Sequence, residues 1–445
     1  MSAETRWASR SPRQNYRVER VRAAQNQSVA MTDVEVHIDL ERTTQRVGLI
    51  RLNRGRRAET ITSEYDDAWL KNRNRFSIEP AMRLTRGVHP APRGQAMFGS
   101  LGDSAPDTWG RRLMQRAERR SADREGRAIR TLTETDYLLG VSDETRIGAL
   151  RFRWDGDEAF QVPPRTGVPA IVELGRLLQV TERILRHEET DEDLQMIFAP
   201  GSSLGGARPK VSVIDQHGRL SIAKFPKETD EYSIETWEEI ALRLAEVAGI
   251  ETPRHELVEI VNKAVLLSQR FDREGETRIP FLSAMSMTGS VDGTRGSYPE
   301  IVDELTRHGA QAKADAEALY RRVAFNVLVS NVDDHLRNHG FLWLGRDGWT
   351  LSPAYDVNPT PTDLKARILT TNIDLDEGTC SIELLLSAAE YFGLSVDAAK
   401  MIIGEVGRAT QTWRTVAQQV GAHRPEIDRM ASAFEHEDLE QALLL

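Results

Sequence analysis

Three polar residues in the last third of the chain have the types and spacing that phosphoryl transfer requires. Asp333 and Asn338 belong to the segment NVDDHLRN (331–338), and Asp356 follows in the segment AYDV (354–357). A kinase uses one carboxylate to orient the attacking hydroxyl group, and it uses oxygen ligands to hold Mg²⁺ against the nucleotide phosphates. The pattern therefore predicts Asp333 as the catalytic base and both Asn338 and Asp356 as metal ligands.

Two simpler interpretations of this segment stay open at this point. Asp, Asn and His are frequent in ordinary turns because their side chains bond the nearby backbone, so residues 331–338 could form a turn without catalytic function. His335 and His339 also have the i, i+4 spacing of a zinc pair. However, the zincin helix needs a Glu after the first His, and Leu336 stands there. Nucleotide-binding residues upstream would favour the kinase.

A glycine-rich segment, GSSLGGARPK (201–210), lies upstream of these residues. Glycines allow backbone N–H groups to turn toward phosphate oxygens. The segment is not a Walker A loop, because Ala207 follows the last glycine and neither Ser nor Thr follows Lys210. Taken alone, such a segment is more often a surface turn, so its meaning depends on the strands that follow it.

A β-hairpin is predicted directly after the glycine-rich segment. Apolar residues alternate over 211–213 and 220–222, on either side of the turn 215–218. The two-residue period of a strand places Lys224 on the same face as Ile222. A lysine on a half-buried face is costly unless it pairs with an anion such as a nucleotide phosphate. The alternative is a solvated lysine on an edge strand, which the neighbouring glycines disfavour.

A helix and a second pair of strands follow the hairpin. Apolar residues at helical spacing predict a helix over 234–248. One of its glutamates could pair with Lys224, and at least one is expected on a solvated face; the three are Glu235, Glu238 and Glu239. Residues 258–261 and 264–267 are expected to pair as strands. They lead into 268–273, which could be the hinge where backbone groups meet adenine.

The elements around the catalytic segment are also predictable. The apolar runs 323–329 and 340–344 flank it, which indicates a loop between a buried helix and a strand, a rigid frame for reactive groups. The carboxy-terminal part is expected to be mostly helical. Its three apolar-periodic segments are 381–392, 395–409 and 410–420.

The amino-terminal end begins differently, with small antiparallel strands. Alternating apolar residues over 34–40 and 47–52 predict these strands. Further along, Asp107 is placed to cap a helix that runs through Trp109. The polar segment 103–112 could be a docking surface, although ordinary packing is its expected role.

The order of these motifs resembles the HipA family of serine/threonine kinase toxins. The resemblance covers roughly residues 35–440, in the order SSLGGARPK, AKFP, a helix, LLSQRFDR, NVDDHLRN and PAYDV. It implies an α+β, two-lobed protein-kinase-like fold, which is distantly related to phosphatidylinositol kinases. A small amino-terminal β-rich domain would precede the kinase, and the carboxy-terminal lobe would be mostly helical.

The resemblance also implies a role for individual residues. Asp333 would be the base, Asn338 and Asp356 would bind Mg²⁺, and Glu238 falls near the usual helix glutamate of the family. The implied cofactor-binding residues include the nucleotide loop, the lysine of the hairpin, the adenine hinge and the neighbours of the base and metal ligands. They are Gly205, Gly206, Ala207, Arg208, Pro209, Lys210, Lys224, Gln269, Arg270, Phe271, His335, Asn338, Tyr355 and Asp356.

A serine in the nucleotide loop is autophosphorylated in the family, which implies the same for Ser203, with Ser202 as a second candidate. A phosphate would add about −1.5 to −2 charges where the ATP phosphates sit, so the loop could not keep its binding conformation. The alternative is that both serines only satisfy the turn. Ser203→Asp is therefore predicted to lower the affinity for ATP, which a nucleotide titration measures.

The predicted domain boundaries divide the chain into four parts. They are a disordered basic tail (1–32), an amino-terminal domain (33–160), a kinase N-lobe (161–272) and a helical C-lobe (273–445). The first thirty residues hold six arginines and two glutamates with few apolar residues, and Met31 is expected to be the true initiator. A basic arm that touches nucleic acid is the alternative for the tail.

Composition narrows the class of protein. The chain has 445 residues, of which 40% are hydrophobic, enough for two or three cores. A formal net charge of −10 argues against the whole molecule binding DNA by itself, because phosphate contact is electrostatic. The single cysteine, Cys380, excludes an intrachain disulfide and favours a reducing cytoplasm, and no apolar run approaches the length of a bilayer span.

The sequence thus predicts a cytoplasmic serine/threonine kinase that uses ATP and Mg²⁺ and acts as the toxin of a toxin–antitoxin pair. The resemblance implies a small DNA-binding, HipB-like antitoxin as partner, DNA contact only through that antitoxin, and no membrane contact. It also implies a protein substrate such as an aminoacyl-tRNA synthetase. Two alternatives stay open: a small-molecule phosphotransferase of the kinase-like superfamily and a non-catalytic co-repressor module.

Overall fold

The amino-terminal part of the protein is built on a five-stranded antiparallel sheet. The computed structural model describes residues 32–54, 59–161, 168–201 and 206–445. The sheet has the order β4-β3-β2-β1-β5, with strands β1 (Thr32–Leu40), β2 (Thr43–Arg54), β3 (Glu59–Tyr65), β4 (Val88–Pro90) and β5 (Leu150–Trp154). The two predicted strands are confirmed as β1 and β2, because alternating apolar side chains of both point into the core.

Four helices accompany this sheet: α1 (Asp67–Lys71), α2 (Gly99–Asp103), α3 (Thr108–Glu125) and α4 (Glu134–Gly140). The predicted cap of α3 is confirmed, since Asp107 Oδ1 accepts a hydrogen bond from the Gly110 N–H at 2.7 Å. The helix ends at Gly126, which adopts the left-handed conformation that glycine tolerates best. This cap fixes the position of Asp107 at the N-terminus of α3.

A four-stranded antiparallel sheet forms the next layer. Its order is β6-β7-β9-β8, and helices α5 (Leu174–Arg186) and α6 (Asp191–Gly201) precede it. The strands are β6 (Lys210–Ile214), β7 (Leu220–Lys224), β8 (His255–Ile260) and β9 (Lys263–Gln269), with helix α7 (Ile234–Val247) between β7 and β8. The predicted hairpin, helix and paired strands are all confirmed. Cross-strand pairing places Lys210 opposite Lys224.

One face of this sheet closes a separate hydrophobic core. Val211, Ala223 and Val265 point into it from the strands, and Leu177 contributes from α5. Trp109 of α3 belongs to the same core and is 3% exposed. Helix α3, which Asp107 caps, therefore also packs against the four-stranded sheet, which ties the two parts together.

The carboxy-terminal lobe is mostly helical, as predicted. Besides the two-residue strands β10 (Arg273–Glu274) and β11 (Thr277–Arg278), it has a three-stranded sheet of β12 (Phe281–Ser283), β13 (Gly340–Trp343) and β14 (Trp349–Leu351). Its helices are α8 (Ala284–Met287), α9 (Tyr298–His308), α10 (Ala312–Leu328), α11 (Ile382–Ala388), α12 (Val396–Thr410), α13 (Trp413–Val420), α14 (Arg424–Phe434) and α15 (Glu437–Leu443).

The catalytic segment lies between α10 and β13, as the flanking apolar runs predict. The last turns of α10 are fully buried from Val323 to Leu328, and Phe341 of β13 is also fully buried. Both ends of the intervening loop are therefore anchored in the core. Along the described parts of the chain, no helix combines the length and the apolar character needed to cross a bilayer.

Candidate active site

Lys224 lies at the centre of a buried cluster of charges. Its ammonium group donates to both carboxylate oxygens of Glu238, at 2.6 and 2.7 Å, and to Asp356 Oδ1 at 2.8 Å. Strand β7 supplies the lysine, helix α7 supplies Glu238, and the segment after β14 supplies Asp356. The predicted pairing of Lys224 with a helix glutamate is confirmed, and Glu238 is the partner.

The other two glutamates of α7 correct the sequence prediction. At least one of them was expected on a solvated face, yet both are 1% exposed. Glu235 accepts from Arg208 at 2.7 Å, and Glu239 contacts Arg243 at 2.6 Å and His255 at 2.7 Å. The prediction was wrong because Arg208 pairs with Glu235, and Arg243 and His255 pair with Glu239. These pairs offset the cost of burying the two carboxylates.

Asp356 is held in an unusual backbone conformation, with φ at +57°. Residues other than glycine seldom adopt this region, and such strain is concentrated at functional sites. Burial alone would raise the pKa of Asp356, but the ammonium groups of Lys224 and Lys210 hold it below its usual range. The carboxylate is therefore ionised and available to a cation at neutral pH.

The end of the glycine-rich segment faces Asp356. Gly206 has φ at +102°, and a Cβ atom built on it would lie 2.9 Å from Lys210 Nζ and 3.9 Å from Asp356 Oδ2. Any side chain at this position would therefore press on the lysine and strain the backbone. Gly205, Ser202 and Ser203 lie outside the described residues.

The remaining residues of the predicted nucleotide loop have structural contacts. Arg208 donates to both carboxylate oxygens of Asp230, at 2.8 and 2.6 Å, and to Glu235, so its guanidinium group is already committed. The Pro209 carbonyl accepts from the Phe225 N–H at 3.0 Å. Ala207, like Pro209, has no side-chain group that could bind a phosphate. Lys210 is the loop residue whose charge faces the cluster.

The two neighbouring aspartates of the catalytic segment have opposite environments. The Asp333 side chain is 61% exposed, and its nearest cation is Lys365 at 3.6 Å. Asp334 is fully buried; it accepts hydrogen bonds from the Tyr298 hydroxyl and from the Thr370 N–H. Asp334 therefore anchors the loop, whereas the Asp333 side chain is accessible from solvent.

A hydrogen bond links the two predicted metal ligands through their neighbours in sequence. The Tyr355 hydroxyl donates to the Arg337 carbonyl at 2.7 Å, which joins the residue before Asp356 to the residue before Asn338. The Asn338 amide donates to the Asp333 carbonyl at 2.9 Å, so its own oxygen is the group left for a ligand. One amide oxygen and one ionised carboxylate match the preference of Mg²⁺ for oxygen ligands.

The histidines of the segment do not converge on a common point. His339 is buried, and its Nε2 lies 3.3 Å from both the Tyr298 hydroxyl and the Asp334 carbonyl oxygen. His335 instead lies near enough to Asp356 to favour its ionised form. Among the described residues, no cluster of His, Cys, Asp and Glu could hold a metal ion by itself. The zinc alternative therefore has no support in this geometry.

The predicted adenine hinge is tied to the amino-terminal domain instead of being open. Arg270 is 3% exposed; it donates to both oxygens of Asp272 and to the Thr145 carbonyl. The backbone N–H groups of Gln269 and Arg270 donate to the carbonyls of Arg254 and Leu220, so neither is free for adenine. Phe271 packs near Tyr355, with ring centroids 5.4 Å apart.

Two acidic residues before α3 contact the kinase-like part of the chain, and one of them, Asp107, lies beside Lys210. Asp107 Oδ2 lies 3.7 Å from Lys210 Nζ, and burial raises the pKa of Asp107 to about 7. Asp103 accepts from the Ser283 N–H at 2.7 Å and from its hydroxyl at 2.8 Å. Sequence reasoning identified Asp107 only as a helix cap, because no local pattern indicates a contact with a residue so distant in the chain.

Comparison with known proteins is consistent with this geometry. Residues 202–413 match the family described as the HipA-like C-terminal domain. This part of the chain is a HipA-like C-terminal domain. The resemblance to the HipA family is thereby confirmed for this part of the chain, and the matched segment contains the cluster around Lys224, the segment 331–338 and Asp356.

Two individual proteins are also similar to this chain. A protein described as "Putative kinase" from Haemophilus influenzae is 23% identical over 196 residues, which cover 38% of this chain and 57% of that relative. Little more than half of the relative's length is therefore matched. HipA of Shewanella oneidensis MR-1, solved with HipB and its operator DNA, has 19% identity and a TM-score of 0.63, with 92% of this chain and 96% of that chain covered. The two-lobed α+β kinase-like fold is thus shared over nearly the whole chain.

Proposed function

We propose that this protein is a Mg²⁺- and ATP-dependent protein serine/threonine kinase. The observation that carries the proposal is the contact of Lys224 with both Glu238 and Asp356, beside Gly206 and Lys210. A lysine held between a helix carboxylate and a metal-binding carboxylate is the arrangement that kinases use to position nucleotide phosphates. The similarity to the H. influenzae protein described as "Putative kinase" adds support.

In this mechanism the chain supplies binding and orientation. Lys224 and Lys210 hold the negative phosphates, and Asp333 accepts the proton of the attacking hydroxyl. Asn338 and Asp356 would hold Mg²⁺, which neutralises charge on the phosphates when bound. The Asp333 side chain is 61% exposed, which favours a macromolecular hydroxyl over an enclosed small substrate.

We further propose that the kinase is the toxin of a toxin–antitoxin pair. The support is the fold shared with S. oneidensis HipA, which was solved with HipB and operator DNA. A small HipB-like protein that binds DNA is the proposed partner, with DNA contacted only through it. The proposed target is a protein of translation such as an aminoacyl-tRNA synthetase, and phosphorylation of Ser203 or Ser202 would switch the enzyme off.

Transfer of label from γ-labelled ATP to proteins of a cell lysate tests the kinase proposal. The wild type is expected to label a protein serine or threonine in the presence of Mg²⁺, and Asp333→Ala is expected to label none. Label found only on small metabolites would favour a small-molecule phosphotransferase instead. Mass spectrometry of the purified protein checks autophosphorylation, with Ser202→Ala and Ser203→Ala as separate variants.

Growth on expression tests the toxin proposal separately. Wild-type protein is expected to arrest growth, Asp333→Ala is expected to permit it, and co-expression of the antitoxin is expected to restore it. Equal growth with wild type and Asp333→Ala, together with absence of label transfer, would favour a non-catalytic co-repressor module.

A further inference from the structure

The two lysines that face each other across the hairpin are bound very differently. Lys224 makes three hydrogen bonds of 2.6 to 2.8 Å to Glu238 and Asp356. Lys210 is also buried, at 4% exposed, but its closest ionic partner is Asp107 Oδ2 at 3.7 Å, beyond hydrogen-bond length. Lys210 is therefore the lysine whose charge an incoming anion can capture at the lower cost.

Asp107 uses its two carboxylate oxygens for different purposes. Oδ1 caps helix α3 by accepting from the Gly110 N–H at 2.7 Å. Oδ2 is buried, faces Lys210, and has no hydrogen-bond partner within the described part of the chain. A cap needs only one oxygen, so the helix alone does not account for the second. A buried oxygen without a hydrogen bond is destabilised by the loss of its water. Its 3.7 Å contact with Lys210 is therefore weak and can break when a ligand binds.

A second contact from the same turn reaches the nucleotide loop. The Trp109 N–H donates to the Gly206 carbonyl at 3.3 Å. The first turn of α3 thus contacts both ends of the segment from Gly206 to Lys210. The Trp109 side chain is buried in the core beneath the sheet, and this packing holds the turn next to the loop.

We propose that Asp107 competes with nucleotide phosphate for Lys210, so that the amino-terminal segment must release this lysine when ATP binds. The inference rests on the proposed kinase function and assigns Asp107 as a positioning residue that acts through Lys210. The carboxylate weakens nucleotide binding through two effects. It occupies the ammonium group that a phosphate would use, and it places a negative charge near the phosphate position.

The test is a calorimetric titration of the full-length protein with Mg·ATP at a pH of about 8.5, above the raised pKa of Asp107, so that the carboxylate is ionised. Asp107→Asn keeps an oxygen that caps α3 but removes the charge, so the melting temperature is expected to stay within about 2 °C of wild type. The dissociation constant for ATP is expected to fall roughly fivefold, with kcat changed less than about twofold, because only a ground-state competitor has been removed. In a Lys210→Gln background, the same substitution is expected to change the dissociation constant less than about twofold.

Asp66→Asn is the matched control, because Asp66 caps α1 in the same way without contacting the nucleotide loop. It is expected to leave the affinity for ATP unchanged. Equal or weaker ATP binding by Asp107→Asn, with clear binding by the wild type, would overturn the inference and leave the kinase proposal intact. Absence of ATP binding by both proteins would overturn the two proposals together.

Discussion

The proposed nucleotide side and the proposed acceptor side of the candidate site differ in how their charges are held. On the nucleotide side, the Lys224 and Glu238 side chains are 12% and 4% exposed and their bonds are short. On the acceptor side, the Asp333 and Lys365 side chains are 61% and 56% exposed and 3.6 Å apart. One side is organised before any ligand arrives, whereas the other leaves its reactive carboxylate in solvent. The contrast suits a site that binds one fixed nucleotide and a large acceptor that brings its own surface.

The largest expected effect is on the rate of phosphoryl transfer and comes from the exposed side. Asp333→Asn is expected to lower kcat by about 10²- to 10⁴-fold, because the attacking hydroxyl loses its base. Since Asp333 is exposed and makes no buried contact, the melting temperature and ATP affinity are expected to match the wild type. Asp397→Asn, an exposed aspartate in the first turn of α12, serves as the control. A fully active Asp333→Asn would remove the assigned role.

The largest expected effect on stability comes from the buried side. Lys224→Met leaves Glu238 and Asp356 without their cation, so the free energy of unfolding is expected to fall by roughly 3 to 5 kcal/mol. The control is Lys263→Met, which breaks a 2.6 Å pair with Glu182 at the surface and is expected to cost less than about 1 kcal/mol. Urea denaturation of both variants measures the difference. Similar losses in the two variants would contradict the distinction between the two sides.

Asp334→Asn tests whether the buried neighbour only anchors the loop. The Tyr298 hydroxyl and the Thr370 N–H donate to different oxygens of Asp334, and Asn keeps only one acceptor oxygen. One of these buried hydrogen bonds is therefore lost, which is expected to cost roughly 1 to 3 kcal/mol of stability. The variant is expected to keep its affinity for ATP while kcat falls, because the loop that carries Asp333 loosens. Unfolding curves and steady-state kinetics separate the two effects. Unchanged stability would show that Asp334 does not hold the loop.

The smallest expected effect is that of Lys365→Ala. Exposed ion pairs contribute little, so the free energy of unfolding is expected to change by less than about 0.5 kcal/mol. If the acceptor side recognises a protein surface, the KM for the protein substrate is expected to rise while the KM for ATP stays constant. An increase in the KM for ATP would place Lys365 on the nucleotide side and contradict the distinction between the two sides.

Local patterns made much of this architecture predictable. Alternation predicted the hairpin around 215–218, and helical spacing predicted α7. The pairing of Lys224 with one glutamate of that helix was a possibility at this level, and the contact with Glu238 confirms it. The cap at Asp107 and the loop before β13 followed from turn and cap chemistry. In each of these cases the determining residues are close together in the sequence.

What could not be predicted depends on contacts between distant segments. Glu235 and Glu239 have local settings that a solvated glutamate could share, and Arg208 and His255, which pair with them, lie outside α7. Arg270 turns toward the amino-terminal domain because Thr145 offers a carbonyl there. The contact of Asp107 with Lys210 joins residues that no periodicity connects. Only the folded chain brings these charges together.

Binding of Mn²⁺ with a non-hydrolysable ATP analogue, followed by electron paramagnetic resonance, tests the central claim most directly. If Asn338 and Asp356 hold one divalent ion beside Lys224, the wild type will bind Mn²⁺ more tightly when the analogue is present. Asn338→Ala and Asp356→Ala will each lose that gain while Asp333→Asn keeps it. Unchanged nucleotide-dependent Mn²⁺ binding in both alanine variants would contradict the assignment of this site.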